Sequence, residues 1–395
     1  PSLDAVDHYN RYEEDIKMVA EAGLNAYRFS IEWARIEPKQ GVYDENEIEH
    51  YRKVLTCCRE NGVEPIVTMM HFTSPKWLIE NGGWENEATV EAFKNYCQYV
   101  TEQLGDLMHY VCTINEANMG IQVAAISARY RAQMMAKMQR MQQGGAEEKK
   151  DLEGTAQVGM NFNDMMANMQ KQKEENVEIF GTDTLQTFVS ARTPEGDMLV
   201  IRAHQAARAA MKAVKPELQI GLTLSLHDIQ AQEGGEETAA KEWVDEFTHY
   251  VPYIKEDDFF GLQNYSRSLI GPNGILPVPE GAEITQMDYE YYPEGLEHVI
   301  RRVYEEMPMP IMVTENGIAT ADDTRRVAYI QTAMKGVENC IQDGIPVKGY
   351  MYWSMMDNFE WQKGFGMTFG LISVDRTTQT RTAKPSLTVL GNYTK

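Results

Sequence analysis

The chain has 395 residues, of which 43% are hydrophobic and 24% charged, a composition typical of a globular protein with a large core. Asp and Glu number 59 against 37 Lys and Arg, and the formal net charge of -22 disfavours nucleic acid and anionic membrane surfaces as partners. The five cysteines are odd in number and show no C-x-x-C spacing, which indicates neither a disulfide framework nor a zinc site. Together with the lack of an apolar run of roughly 18 residues, this favours a cytoplasmic protein without a membrane span.

Seven apolar runs alternate with amphipathic helical patterns along most of the chain, as expected of a parallel α/β fold. The runs are nearly continuously apolar, which is typical of strands that are covered on both faces. They span residues 24–33, 63–72, 108–116, 218–226, 258–265, 310–317 and 347–356.

Apolar residues recur at spacings of three and four between the runs, for example in the helices predicted before Gly105 and Gly344. The pattern predicts a (β/α)8 TIM barrel that forms a single domain over 1–395, with its active face at the C-terminal ends of the strands. A closed barrel of this type needs eight strands and seven are visible. We therefore expect either a first strand before Pro1 or an unusual closure.

One segment, at about 117–194, contains no predicted strand and is rich in Met and Gln. A structureless loop of that length is unusual in a compact domain, so we predict a helical insertion at the active face. Met134, Met138 and Met141 share one helical face of it. This face is either core or an adaptable apolar wall around the leaving group of a substrate.

Two predicted strands carry a glutamate near their ends, within the short motifs T-I-N-E at 113–116 and V-T-E-N-G at 313–317. Glu116 and Glu315 can converge across one pocket at the C-terminal face of the barrel. Such a pair is what glycoside hydrolysis requires, because one carboxyl must hold a proton and the other must be ionised. Arg28 could keep Glu315 ionised, and Asn115 could bind a sugar hydroxyl beside the reacting carbon. A single glutamate at a strand end is more typical of a surface ion pair.

Other candidate residues are ambiguous on their own. A histidine such as His71 is typically structural, and Trp353 and Trp361 would pack equally well in a core. No metal-binding, P-loop, dinucleotide-binding or serine-nucleophile motif is present, so we predict neither a metal nor a cofactor.

Eight motifs occur in the order typical of one enzyme family. They are DHYNRYEEDI, YRFSIEWARI, GGW, TINEAN, YPEGL, VTENGIA, GYMYWSMMDNFEW and FGLISVD. From about Asp7 to the C-terminus, outside 117–194, the chain resembles the β-glycosidases of glycoside hydrolase family 1.

The resemblance implies a retaining mechanism in which Glu116 is the general acid/base and Glu315 the nucleophile. It implies that Tyr265 hydrogen-bonds the nucleophile and that Arg28 flanks it. The residues that it implies for the glycone are His71, Asn115, Gln263, Glu360 and Trp361, with Trp353 as the aromatic platform.

The chain departs from the family pattern at four places. The glutamine that the family carries on its first strand has no counterpart, and Ala117 stands where the family usually has proline. Gln263 replaces an asparagine and offers the same amide one methylene further out. The 117–194 insertion is longer than the family's pattern.

The leading hypothesis is a retaining β-glycosidase that removes a terminal β-D-glucosyl or closely related residue from a small β-glycoside. A 6-phospho-β-glucosidase is the neighbouring alternative, although Glu360 would repel a phosphate. The alternative from another class is a catalytically impaired carbohydrate-binding or assembly protein. The sequence leaves the number of assembled chains open, a homo-oligomer included.

Overall fold

The computed structural model describes residues 4–142, 162–181, 183 and 185–394. The side chains of 130, 132–134, 136–142, 162–169 and 362 lie outside this description. The strands are β1 Ala26–Ser30, β2 Glu64–Met70, β3 Tyr110–Ile114, β4 Gln219–Gly221, β5 Thr223–Ser225, β6 Asp228–Ala231, β7 Phe260–Gln263, β8 Arg267–Gly271, β9 Gly274–Ile275, β10 Ile311–Asn316, β11 Val347–Tyr352, β12 Ile372–Val374 and β13 Arg381–Ala383.

Two parallel ladders form the barrel wall, in the orders β1-β2-β3-β4 and β11-β10-β7-β5. The ladders are continuous because β4 and β5 belong to one apolar run, interrupted at Leu222. There the carboxylate of Asp257 accepts the Leu222 N–H at 3.1 Å. All seven predicted runs therefore form wall strands, and the predicted TIM-barrel fold class is confirmed. Two smaller sheets, β6-β8-β9 and β12-β13, lie outside the wall.

The wall has a seam between β1 and β11. The Glu64 N–H donates to Asn25 O at 2.8 Å and the Ile31 N–H to Thr68 O at 3.0 Å. Because backbone groups alternate between the two edges of a strand, those of Arg28 and its second neighbours on β1 face away from β2. No ladder joins that edge to β11 among the described residues. A cavity of about 530 Å³ runs along the seam.

Helices connect and flank the wall strands along the chain. They are α1 His8–Glu21, α2 Trp33–Ile36, α3 Glu45–Glu60, α4 Lys76–Glu80, α5 Ala88–Leu104, α6 Met119–Gln142, α7 Phe162–Phe180, α8 Pro194–Val214, α9 Glu236–Glu246, α10 Val251–Ile254, α11 Gly295–Glu306, α12 Asp323–Gln342 and α13 Pro385–Gly391. Gly344 follows α12 with φ +87°, which a side chain would disfavour, and so ends the helix where the sequence predicts. Gly105 ends α5 in a right-handed conformation instead.

The helices α6 and α7 occupy the segment in which the sequence predicts an insertion. The proposed face of Met134, Met138 and Met141 lies outside the described side chains. Within the part of the chain that the structure describes, no helix combines the length and apolarity needed to cross a bilayer.

Candidate active site

The predicted site residues all lie towards the C-terminal ends of the wall strands. Polar side chains gather here because the strands are parallel and their carboxyl ends meet at one face. Arg28 lies on β1, His71 follows β2, Asn115 and Glu116 follow β3, Gln263 ends β7 with Tyr265 after it, Glu315 lies on β10, and Trp353, Glu360 and Trp361 follow β11.

The Glu315 carboxylate is held at both oxygens. Arg28 Nη1 donates to Oε1 at 2.7 Å, and the Tyr265 hydroxyl donates to Oε2 at 2.5 Å. Burial, followed by the negative charge of Glu315, raises the pKa of Tyr265 well above its ordinary value. Tyr265 therefore keeps its proton and acts as a donor. One carboxylate is thus fixed in place by one cation and one neutral donor.

Asn115 links this ion pair to the neighbouring strands. Its Oδ1 accepts hydrogen bonds from Arg28 Nη2 and from Gln263 Nε2, the latter at 2.8 Å. Its amide nitrogen then lies 3.2 Å from His71 Nε2, which accepts the hydrogen bond. The other ring nitrogen of His71 carries the proton. Burial, with Arg28 as the second cause, lowers the pKa of His71 to about 3, so its ring is neutral.

Glu116 is buried in a different environment. Burial raises its pKa well above the ordinary value, and the charges of Glu315 and Glu360 raise it further. The backbone of Glu116 has φ +43°, in the left-handed region that non-glycine residues rarely adopt. Holding a residue there costs on the order of 1–3 kcal/mol, which neighbouring contacts must offset. Burial therefore favours the protonated form of the Glu116 carboxyl, whereas the Glu315 carboxyl pairs with the Arg28 guanidinium.

Glu360 lies near Glu315, and the rings of Trp353 and Trp361 lie beside His71. The Trp353 and Trp361 rings lie 5.8 and 5.9 Å from the His71 ring, both nearly parallel to it. Burial, followed by the charge of Glu315, raises the pKa of Glu360 to about 7. Gln263 Oε1 and Glu360 Oε2 are buried with no hydrogen-bond partner among the described residues. Buried acceptors of this kind suit the hydroxyls of a ligand.

The raised pKa of Glu360 makes the stability of the protein depend on pH. The folded-state pKa of about 7 lies above the ordinary value of 4.5, so the stabilisation is complete below pH 4.5 and is lost as the pH rises through 7. The difference corresponds to about 3 kcal/mol of unfolding free energy. We expect Glu360→Gln to flatten the rise in unfolding free energy on acidification from pH 7.5 to 5, measured by urea titration. Glu280→Gln, which removes an exposed carboxylate, is the control. If the unfolding free energies of wild type and Glu360→Gln depend on pH in the same way, the raised pKa of Glu360 is contradicted.

Other polar residues near these strand ends have structural contacts instead. Asn316 is fully buried and donates to Asn264 O at 2.7 Å. Asp357 accepts from the Gly370 N–H at 2.8 Å and pairs with Lys384. Among the described residues, no group of three or more His, Cys, Asp or Glu side chains is placed to hold a metal ion.

Sequence reasoning missed two residues of the fourth wall strand. The Thr223 hydroxyl accepts the Glu116 N–H at 3.0 Å, and the Ser225 side chain lowers the pKa of the Glu116 carboxyl, against the larger effect of burial. The only signal was the polar alternation T-L-S within an otherwise apolar run. Such alternation indicates that one face of the strand is polar, without showing what it contacts.

Comparison with known proteins identifies the class. Residues 3–144 and 278–393, more than half of the chain, match the family described as glycosyl hydrolase family 1. The chain therefore belongs to glycosyl hydrolase family 1. It is a glycoside hydrolase, and the prediction of a retaining β-glycosidase is confirmed.

Individual relatives agree with this assignment. The crystal structure of the β-glycosidase BGL167 is 43% identical, with a TM-score of 0.84, and the alignment covers 100% of this chain and 88% of that one. The β-glucosidase A of Acetivibrio thermocellus is 29% identical over 97% of this chain and 85% of its own length. A 6-phospho-β-galactosidase of Lacticaseibacillus casei is 26% identical over 97% of this chain and 87% of its own length.

Proposed function

We propose that the chain hydrolyses terminal non-reducing β-D-glucosyl residues, with Glu315 as nucleophile and Glu116 as general acid/base. The observation that carries this proposal is the contrast between the two carboxyl groups. Glu315 accepts hydrogen bonds from Arg28 and Tyr265, whereas burial and the nearby charge of Glu315 keep the proton on Glu116. Retaining glycoside hydrolysis needs this division of roles.

In the first step, a Glu315 oxygen attacks the anomeric carbon while the bond to the leaving oxygen breaks. Glu116 gives its proton to that oxygen, so the aglycone departs as a neutral alcohol. The product is a glycosyl ester on Glu315. With the charge of Glu315 neutralised, Glu116 is the carboxylate that takes a proton from water as the water attacks the same carbon. The ester bond then breaks, Glu315 regains its negative charge, and the sugar leaves with its original configuration.

The glycone fits the groups around the unpaired acceptors. Glu360 Oε2 and Gln263 Oε1 can each accept a sugar hydroxyl, and the neutral His71 ring offers one N–H donor. The Trp353 side chain lies beside the Glu360 carboxyl and lowers the pKa of that carboxyl, against the larger effect of burial. A flat indole face also suits the C–H face of a pyranose, and we propose Trp353 and Trp361 for this contact.

The 6-phosphoglycoside alternative has support from the Lacticaseibacillus casei relative. Against it, a phosphate would lie near the Glu360 carboxyl group, which is mostly ionised only above pH 7, and like charges in a partly buried site repel strongly. We therefore propose a neutral glycone.

One assay tests both proposals. We expect p-nitrophenyl β-D-glucoside to be hydrolysed with the β-anomer of glucose released first, as monitored by proton NMR. We expect kcat/KM for its 6-phosphate to be lower by at least about tenfold. Glu360→Gln should narrow that gap at pH 8, where the Glu360 carboxyl of the wild type is mostly ionised. Release of the α-anomer first would overturn the mechanism, and faster turnover of the 6-phosphate would overturn the choice of glycone. Lack of any turnover would favour the carbohydrate-binding or assembly alternative.

The remaining proposals concern organisation. We propose one catalytic domain over 1–395 that includes the insertion at about 117–194. We also propose a reducing, cytoplasmic setting, supported by five cysteines that are all buried as free thiols.

A further inference from the structure

The acid/base residue stands at a backbone position that needs support. Glu116 follows the end of β3 with φ +43°, and Ala117 after it lacks the ring with which a proline would restrict the chain. A side chain on an unsupported left-handed residue would relax to a commoner conformation and carry its carboxyl elsewhere. The support must therefore come from hydrogen bonds to the neighbouring strand.

A single side chain of β5 supplies this support. The Thr223 hydroxyl accepts the Glu116 N–H at 3.0 Å and donates to Ile114 O at 3.2 Å. The Thr223 backbone carbonyl also accepts the Ala117 N–H at 3.0 Å. Thr223 thereby contacts the chain before, at and after the turn that aims Glu116. It is fully buried, so no water competes for these bonds.

Packing fixes the direction of the Thr223 hydroxyl. A Cβ on Gly261, its partner on β7, would lie 2.5 Å from the Thr223 methyl carbon. The bare backbone of Gly261 therefore provides the space that the methyl group occupies. With the methyl group on that side, the hydroxyl points toward β3. Two residues further along β5, the Asn118 side chain accepts the Ser225 N–H at 3.0 Å and donates to the Ser225 carbonyl at 2.8 Å.

We infer that Thr223 is a positioning residue for the general acid/base, its hydroxyl holding the backbone of Glu116 in the left-handed conformation that aims the carboxyl at the leaving oxygen. The inference rests on the proposed role of Glu116. It concerns protonation of the leaving group and not the attack by Glu315.

The test is Thr223→Val, which replaces the hydroxyl with a methyl group of similar size and leaves the Glu116 N–H without its acceptor. For methyl β-D-glucoside, which has a poor leaving group, we expect kcat/KM to fall by about 10–100-fold, because small displacements of a catalytic group are costly. For 2,4-dinitrophenyl β-D-glucoside, which needs little protonation, we expect a loss below about threefold. The alkaline limb of the kcat/KM profile should move to lower pH as the freed carboxyl gains contact with water.

Two comparisons separate positioning from general damage. Thr223→Ser keeps the hydroxyl and should retain the wild-type balance between the two substrates. In a Glu116→Ala background, Thr223→Val should add less than about a twofold loss, because its target is already absent. Should Thr223→Val fail to fold, Thr223→Ala against Thr223→Ser gives the same contrast.

The outcomes distinguish this inference from the proposed function. An equal loss on both substrates, or an undiminished loss in the Glu116→Ala background, would overturn the role of Thr223. If Glu116→Ala alone shows no preference between leaving groups, the proposed role of Glu116 fails first.

Discussion

Glu315→Ala should reduce hydrolysis of an activated aryl β-glucoside by on the order of 10⁴-fold or more, because removing a covalent nucleophile disables the whole catalytic unit. Sodium azide should restore turnover. The small anion can enter the space vacated by the carboxylate and attack the anomeric carbon from the same side, and the product should be the α-glucosyl azide. Steady-state rates with 2,4-dinitrophenyl β-D-glucoside and NMR of the azide product provide the measurement.

A matched control removes a carboxyl group that lines the seam cavity together with Arg28 and does not contact Glu315. Glu32 lines the cavity and pairs with Arg35 at 3.6 Å. Glu32→Ala should keep its activity and show no response to azide. Wild-type activity in Glu315→Ala, or a β-glucosyl azide as its product, would exclude Glu315 as the nucleophile.

Glu116→Ala should separate substrates by their leaving groups. For methyl β-D-glucoside we expect kcat/KM to fall by about 10²–10⁴-fold, the usual contribution of general acid catalysis. For 2,4-dinitrophenyl β-D-glucoside, kcat/KM should stay near the wild-type value, because this phenolate departs without a proton. Hydrolysis of the glycosyl ester should then limit kcat, because no base activates water.

Azide tests the same variant from the opposite side. It needs no general base, so it should accelerate breakdown of the ester on Glu315 and yield the β-glucosyl azide. The opposite anomers expected for the Glu116 and Glu315 variants assign the two roles independently. Equal losses of kcat/KM on both substrates would count against Glu116 as the acid.

Much of the wall could be predicted because its residues follow a simple physical rule. Strands covered on both faces are continuously apolar, and each of the seven runs contains wall strand. The ends were less predictable, since they depend on tertiary contacts. The last run extends to Met356 in the sequence, but β11 ends at Tyr352. The Trp353 N–H then donates a hydrogen bond to Asn316 O. The break at Leu222 similarly depends on Asp257, a distant carboxylate.

The site was predictable where chemistry constrains residue type. The paired glutamates indicated the reaction class, and the expected charge pairing of Arg28 and the family resemblance of Tyr265 supplied two residues that contact Glu315. Thr223 escaped notice because a threonine is an ordinary strand residue. Its importance arises from the left-handed backbone of Glu116, which no local pattern announces.

The Arg28–Glu315 ion pair of the active site connects the two ladders of the barrel wall. Arg28 lies on β1, at one edge of the seam. Glu315 lies on β10, which pairs with β11 at the other edge. The Arg28–Glu315 ion pair at 2.7 Å therefore joins the two ladders on the side where, among the described residues, no backbone ladder connects them. Breaking a buried pair of this kind typically costs about 3–5 kcal/mol. Removing either partner of the pair would therefore lower the stability of the fold as well as disturb the Glu315 carboxylate.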